Sequence, residues 1–228
     1  MPERMSIVCY YEARFLCEDA VMAQSVAGEP GESNPRREAL LAAAASVMSR
    51  TGFDRMRLRD VAAEAGVSIG LLQHYFETRE QLGRQAFAFV CGERAARFAE
   101  ISAGAGSAWS RIERCLRYAM GGSDLGARSR VWIELCAAGS RDLELHGHAA
   151  RVQAAWRAPL LAALESGVAS GEFRPLVSAE SATDAILALI DGAELQALFE
   201  DAPDASQSRV LETAIAVVRI LVGAPEND

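Results

Sequence analysis

The segment Val61-Ala62-Ala63-Glu64-Ala65-Gly66-Val67-Ser68 constrains this chain more than any other. Leu58, Val61, Ala62 and Ala65 lay one apolar stripe over two helical turns, and Gly66 stops that helix. Ser68 can accept a bond from an amide of the next turn and so start a short second helix. That helix carries Ile69, Leu72 and Phe76 at i, i+3 and i+7. Two short helices joined by a glycine-centred turn form a helix-turn-helix, whose second helix enters the major groove of DNA. A bare Ala-Gly-Val-Ser turn serves a packed core equally well, so the outward face decides between the two readings. With Ile69, Leu72 and Phe76 turned inward, Gly70, Gln73 and His74 are expected outward. Glutamine can bond an adenine edge through two atoms, glycine permits close approach, and histidine can donate to a base or a phosphate.

The overall charge of −8 opposes nucleic acid, but it is unevenly spread. Residues 35–84 carry eight arginines against six acids, so the stretch with the motif is the positive one. No lysine occurs anywhere in the chain. Every permanent cation offered to a phosphate is therefore a guanidinium, which also forks onto a guanine edge. No apolar run approaches the roughly 18 residues of a membrane span, and charged residues interrupt residues 1–19, so a soluble cytoplasmic protein is expected. Cys9, Cys17, Cys91, Cys115 and Cys136 are widely spaced without a CxxC pair, and His146 and His148 fall on different faces of a helix. No metal or cofactor is expected from them.

The rest of the pattern is helical, and the fold class expected is all-α. Residues 1–34 end in a stretch of turn formers and acids that reads as a linker, behind an extension expected to be poorly ordered. A start at Met22 is expected as readily as one at Met1. Residues 35–82 form the helix-turn-helix domain, 83–223 a helical ligand-binding and dimerisation domain, and 224–228 a tail. The first helix follows Pro35 and closes at Thr51-Gly52, and a long helix runs from Arg79 to Ala103. Glycine, serine and proline then divide helices near 108–120, 128–138, 143–170, 179–200 and 206–222.

Several spacings together resemble the TetR family of bacterial regulators: Gly52-Phe53, Leu58-Arg59-Asp60-Val61-Ala62, Ala65-Gly66-Val67-Ser68, His74-Tyr75-Phe76 and Arg79-Glu80-Gln81-Leu82. The resemblance implies a sequence-specific DNA-binding repressor released by a small molecule. It implies that the third helix reads a double-stranded operator, with Ser68, Ile69, Gly70, Gln73 and His74 on that helix, while Tyr75 and Arg79 touch phosphate. Where the family has a capping threonine, this chain has Arg57, which loses the cap and offers a cation to phosphate. Further on, Val131-Trp132-Ile133-Glu134-Leu135, Ala155-Trp156-Arg157, Gly167 with Ser170-Gly171-Glu172-Phe173, and Leu189-Ile190-Asp191-Gly192-Ala193 are similar to the subgroup that contains the choline-responsive repressor of betaine synthesis.

A homodimer is expected from the last two helices. Ile186, Leu189, Ile190, Ala193 and Ala197 line one face of the first, Leu187, Leu195 and Leu198 make other faces apolar, and Val210, Leu211, Ala214, Val217, Val218 and Leu221 follow in the second. Trp109, Tyr118, Trp132, Cys136 and Trp156 are the candidate lining of an apolar or amphipathic effector pocket, where a cation would gain attraction from the rings. An enzyme is disfavoured, since no phosphate-binding glycine loop, nucleophile elbow or metalloprotease motif is present. Glu134 and Asp191 read as capping or hydrogen-bonding groups. Arg57 in the capping position leaves open a third reading, a sensor or protein-interaction module that no longer binds DNA.

Overall fold

The computed structural model describes residues 34–199 and 203–225. Among them lie nine helices and no strand: α1 Pro35–Thr51, α2 Leu58–Glu64, α3 Ile69–Tyr75, α4 Arg79–Ala103, α5 Ala108–Met120, α6 Leu125–Gly139, α7 Leu143–Ala169, α8 Ala179–Gln196 and α9 Pro203–Val222. The expected extension and tail fall outside the described residues apart from their inner ends. No helix among the described residues is long and apolar enough to cross a membrane.

Three boundaries differ from the sequence pattern. Helix α6 begins at Leu125, not Arg128, because the carbonyl of Asp124 accepts the amides of both Ala127 and Arg128 at 3.0 Å and so completes an earlier turn. Helix α8 stops at Gln196, four residues before Glu200. The amides of Leu198 and Phe199 turn back tightly to Leu195 and Gln196 at 3.2 and 3.0 Å. Helix α9 begins at Pro203, not Ser206, since proline lacks only an amide that the first helical position leaves unbonded anyway.

The chain forms two compact units. The first takes the residues up to Gly92 together with Arg130–His148, so it holds α1 to α3 and parts of α4, α6 and α7. Leu40, Leu41, Met48, Leu72, Phe76 and Phe87 are buried in it. The later segment is tied to the earlier one by charge. Arg84 of α4 pairs with Asp142 and with Glu144, each at 2.8 Å, and the Glu134 carboxylate of α6 accepts the amide of Phe53.

The second unit holds residues 93–129 and 149–228. Phe98, Ile112, Leu116, Trp156, Leu160, Ile186 and Val218 form its core. Ser170-Gly171-Glu172-Phe173 here closes α7 and positions α5. The Glu172 carboxylate accepts the amides of Ala108 and Trp109 at 2.8 Å, capping α5. Burial acts to raise the Glu172 pKa, but these bonds outweigh it and hold the carboxyl below its ordinary value. Phe173 lies on Gly167, where an added Cβ would meet the ring at 2.2 Å and Ala108 at 2.9 Å. Gly167→Ala should therefore destabilise the protein by about 1–3 kcal/mol through over-packing, measurable as a lower urea midpoint at unchanged slope. An unchanged midpoint would show that the ring moves aside freely.

The apolar residues of α8 and α9 are used differently from the sequence expectation. Ile186, Ile190 and Ala193 of α8 and Ala214 and Val218 of α9 point into the unit's own core. Leu195, Val217 and Ile220, at 50%, 45% and 68% exposure, stand outside it, with Phe199 beyond the end of α8 at 79%.

Candidate nucleic-acid interface

Helix α3 has seven residues, too few to hold a helix by hydrogen bonding alone, so its surroundings must fix it. The turn before it does part of this. Gly66 adopts φ +64°, a left-handed conformation that costs glycine little and other residues more. The amides of Ala65, Gly66 and Val67 then return to Val61, Ala63 and Ala62 at 2.9, 3.2 and 2.9 Å. Ser68 caps α3, its Oγ accepting the Leu71 amide at 3.2 Å. Leu72 and Phe76 anchor the helix from below, both almost fully buried.

Ile69 corrects one expectation: it faces outward, 45% exposed, instead of joining Leu72 and Phe76 in the core. It is the first residue of α3, where the chain is still emerging from the cap. Gly70, Gln73 and His74 are exposed as expected, and Tyr75 is half-buried with its ring edge-on to His74 at 5.6 Å. Outward residues on α3 thus comprise one small, one apolar and two polar side chains.

Helix α2 is held under α3 by a polar clasp to α1. Glu64 accepts Ser46 Oγ at 2.8 Å and both terminal nitrogens of Arg50 at 3.1 and 2.7 Å. Desolvation pushes the Glu64 pKa up, yet these bonds prevail and leave the carboxyl below its ordinary value. Arg57 stands at the N-cap of α2, exposed and making no side-chain capping bond, which agrees with the loss of the cap read from the sequence. Arg79 differs in kind. Its Nη1 donates to the Phe53 carbonyl at 2.6 Å, its Nη2 lies 2.6 Å from Glu80, and its guanidinium sits 5.6 Å from the Phe53 ring centre. Arg79 is thus partly occupied in holding the α1–α2 turn.

The five candidate pocket residues divide between the units. Trp132 and Cys136 belong to the first; Trp109, Tyr118 and Trp156 belong to the second. Tyr118 and Trp156 face each other at 6.5 Å between ring centres, and Trp156 stacks on Phe98 at 4.3 Å. Phe98 was not singled out in the sequence, where it is one apolar residue among many on a long helix. Trp109 is covered by the guanidinium of Arg219 at 4.6 Å. Glu134 and Asp191 each have their own partner, the Phe53 amide and the Gln153 side chain. No group of three or more metal-ligating side chains occurs among the described residues.

Comparison with known proteins agrees with this geometry. Residues 40–86 match the model of the bacterial regulatory proteins of the tetR family, and residues 111–220 match the C-terminal region of BetI-type transcriptional repressors. The HTH-type transcriptional regulator YfiR of Bacillus subtilis is 26% identical over 86% of this chain and 97% of its own. A crystal structure from Rhodococcus sp., assigned to the TetR-family regulators, superposes with a TM-score of 0.67 at 26% identity, over 82% of this chain and 98% of that one. A transcriptional regulator of Saccharomonospora viridis solved in complex with choline gives 0.71 at 19% identity, over 82% and 97%; it supports the fold alone. The two family models together span more than two thirds of the chain, one over the helix-turn-helix and one over the helices that follow, and the protein belongs to the TetR family of transcriptional regulators.

Proposed function

We propose that this regulator is a cytoplasmic, homodimeric repressor that reads a double-stranded operator through α3 and is released by a small-molecule effector. The observation that carries the reading is α3 itself. A seven-residue helix anchored by Leu72 and Phe76 and capped by Ser68 presents Ile69, Gly70, Gln73 and His74 to solvent. Gln73 and His74 have the donors and acceptors to read base edges, and Ile69 can lie against a thymine methyl. Tyr75, Arg57 and Arg79 are assigned to phosphate, a role that the exposure of Arg57 supports. The half-sites of such a dimer lie one helical turn or a multiple apart.

Selection of sites from a random DNA library tests the division of labour. Gln73→Ala and His74→Ala should each change the preferred bases, at a cost of about 1–3 kcal/mol on the original operator. Arg57→Ala should weaken all sequences alike and lower the slope of log affinity against log salt by about one. Arg79→Ala is the less clean probe of phosphate binding, because it also releases the Phe53 carbonyl. An unchanged preferred site in both α3 variants would reject the reading.

The exposed faces of α8 and α9 support the dimer. Leu195, Val217 and Ile220 are apolar side chains left uncovered within the protomer, of the kind that a symmetric partner covers. For the effector, the second unit brings together Phe98, Tyr118 and Trp156, and the proposed pocket narrows to those rings. The choline bound to the Saccharomonospora viridis regulator supports a small-molecule site in a protein of this fold. An effector acts only if it binds the DNA-released state more tightly than the DNA-bound one.

A further inference from the structure

The core of the second unit contains charge where apolar packing would cost less. Arg94 of α4 pairs with Glu194 of α8 at 2.8 Å, their side chains only 10% and 4% exposed. The Arg94 guanidinium lies 5.3 Å from the Trp156 ring centre, and Trp156 rests on Phe98. A second guanidinium, Arg128 of α6, is 11% exposed and lies 5.9 Å from the Tyr118 ring centre. Arg128 donates to the carbonyls of Tyr118 and Gly121, and its Nε is 3.1 Å from Asp124. The Tyr118 hydroxyl donates to the Arg94 carbonyl at 3.4 Å, closing the cluster. Beside Arg128, the Ser129 hydroxyl is fully buried and has no hydrogen-bond partner among the described residues.

Arg94 thus meets a buried carboxylate, whereas the carboxylate that meets Arg128, Asp124, is 30% exposed and partly met by solvent. Burial, and then the charge of Arg94, hold the Arg128 pKa below its usual range. An ammonium ligand would need the Trp156 face and the Glu194 carboxylate, and Arg94 already takes both.

We propose that the effector is an organic anion, a carboxylate with an apolar tail, whose carboxylate replaces Glu194 as the counter-ion of Arg94 and reaches Arg128, while Phe98, Tyr118 and Trp156 take the tail. The inference rests on the effector-released reading above and names the ligand class for that site.

Calorimetric titration of the full-length protein with octanoate, phenylacetate, octanol and choline tests it. At least one of the two acids should bind, octanol should bind at least about tenfold more weakly than octanoate for want of a charge-assisted bond, and choline should not bind. Glu194→Gln, which leaves Arg94 without its internal counter-ion, should tighten the bound acid by about tenfold, and Arg128→Gln should weaken it by a similar factor. The comparison of the four probes on the unaltered protein stands even if a variant fails to fold. Choline binding more tightly than either acid, or neither acid binding to the unaltered protein or to folded Glu194→Gln, would overturn the proposal. Operator binding without ligand is measured alongside. Operator binding retained with no acid bound sinks this inference alone, whereas loss of sequence-specific operator binding by the unaltered protein sinks the repressor reading.

Discussion

A Leu195→Glu, Ile220→Glu double variant is expected to sediment as a monomer and to bind a two-half-site operator between about a hundred and ten thousand times more weakly than the unaltered protein. The magnitude follows from linkage. Once one reading helix of a dimer is bound, the second meets its half-site at a high effective concentration, and a monomer loses that term without losing any contact. Both residues lie outside the protomer's core, half or more exposed, so the substitutions should leave the fold intact. Charge placed on both sides of an apolar symmetric contact is repeated by the two-fold axis, which doubles its cost. Sedimentation velocity and circular dichroism check the state and the fold, and titration of a single half-site provides the control. A double variant that remains dimeric at full operator affinity would place the interface elsewhere.

Phe76→Ala should cost about 3–5 kcal/mol in the first unit and abolish operator recognition. The argument begins with the length of α3. At seven residues it has little stability of its own, and its position depends on what it buries. Ile69 faces solvent, so Leu72 and Phe76 are left to hold it. Phe76 also carries the guanidinium of Arg37, 5.4 Å from the ring centre, while Arg37 reaches Gln85 of α4. Removing the ring therefore leaves a cavity and frees a contact between α1 and the segment that follows α3. Hydrogen exchange should show early loss of protection in α2 and α3, with helices of the second unit protected as before. Operator binding undiminished in Phe76→Ala would mean that DNA itself holds α3 in place.

The helix-turn-helix was legible because its requirements are local. A stripe, a glycine, a cap and a second stripe fall within twenty residues, and each acts over one or two turns. Hence Gly66 has its left-handed φ, Ser68 makes its cap, Arg57 makes none, and Gly70, Gln73 and His74 are outward. Ile69 was misplaced because periodicity assigns a face without knowing where the chain turns into the helix. The ends of α6, α8 and α9 slipped for a related reason: each is set by which carbonyl takes the last free amide, a choice among near-equal neighbours.

What the sequence by itself determined is the all-helical class, the reading motif and its family, since these rest on contacts between residues close in the chain. Only the tertiary structure decided which apolar stripe is core and which is surface: Ile186, Ile190 and Ala193 turn inward and Leu195 outward on one helix that reads as apolar on several sides. It alone brought Glu134 to Phe53 and Arg94 to Glu194, pairs separated by 81 and 100 residues. A charge is visible in a sequence, but its burial and its partner depend on packing between distant helices, and no short-range pattern encodes that.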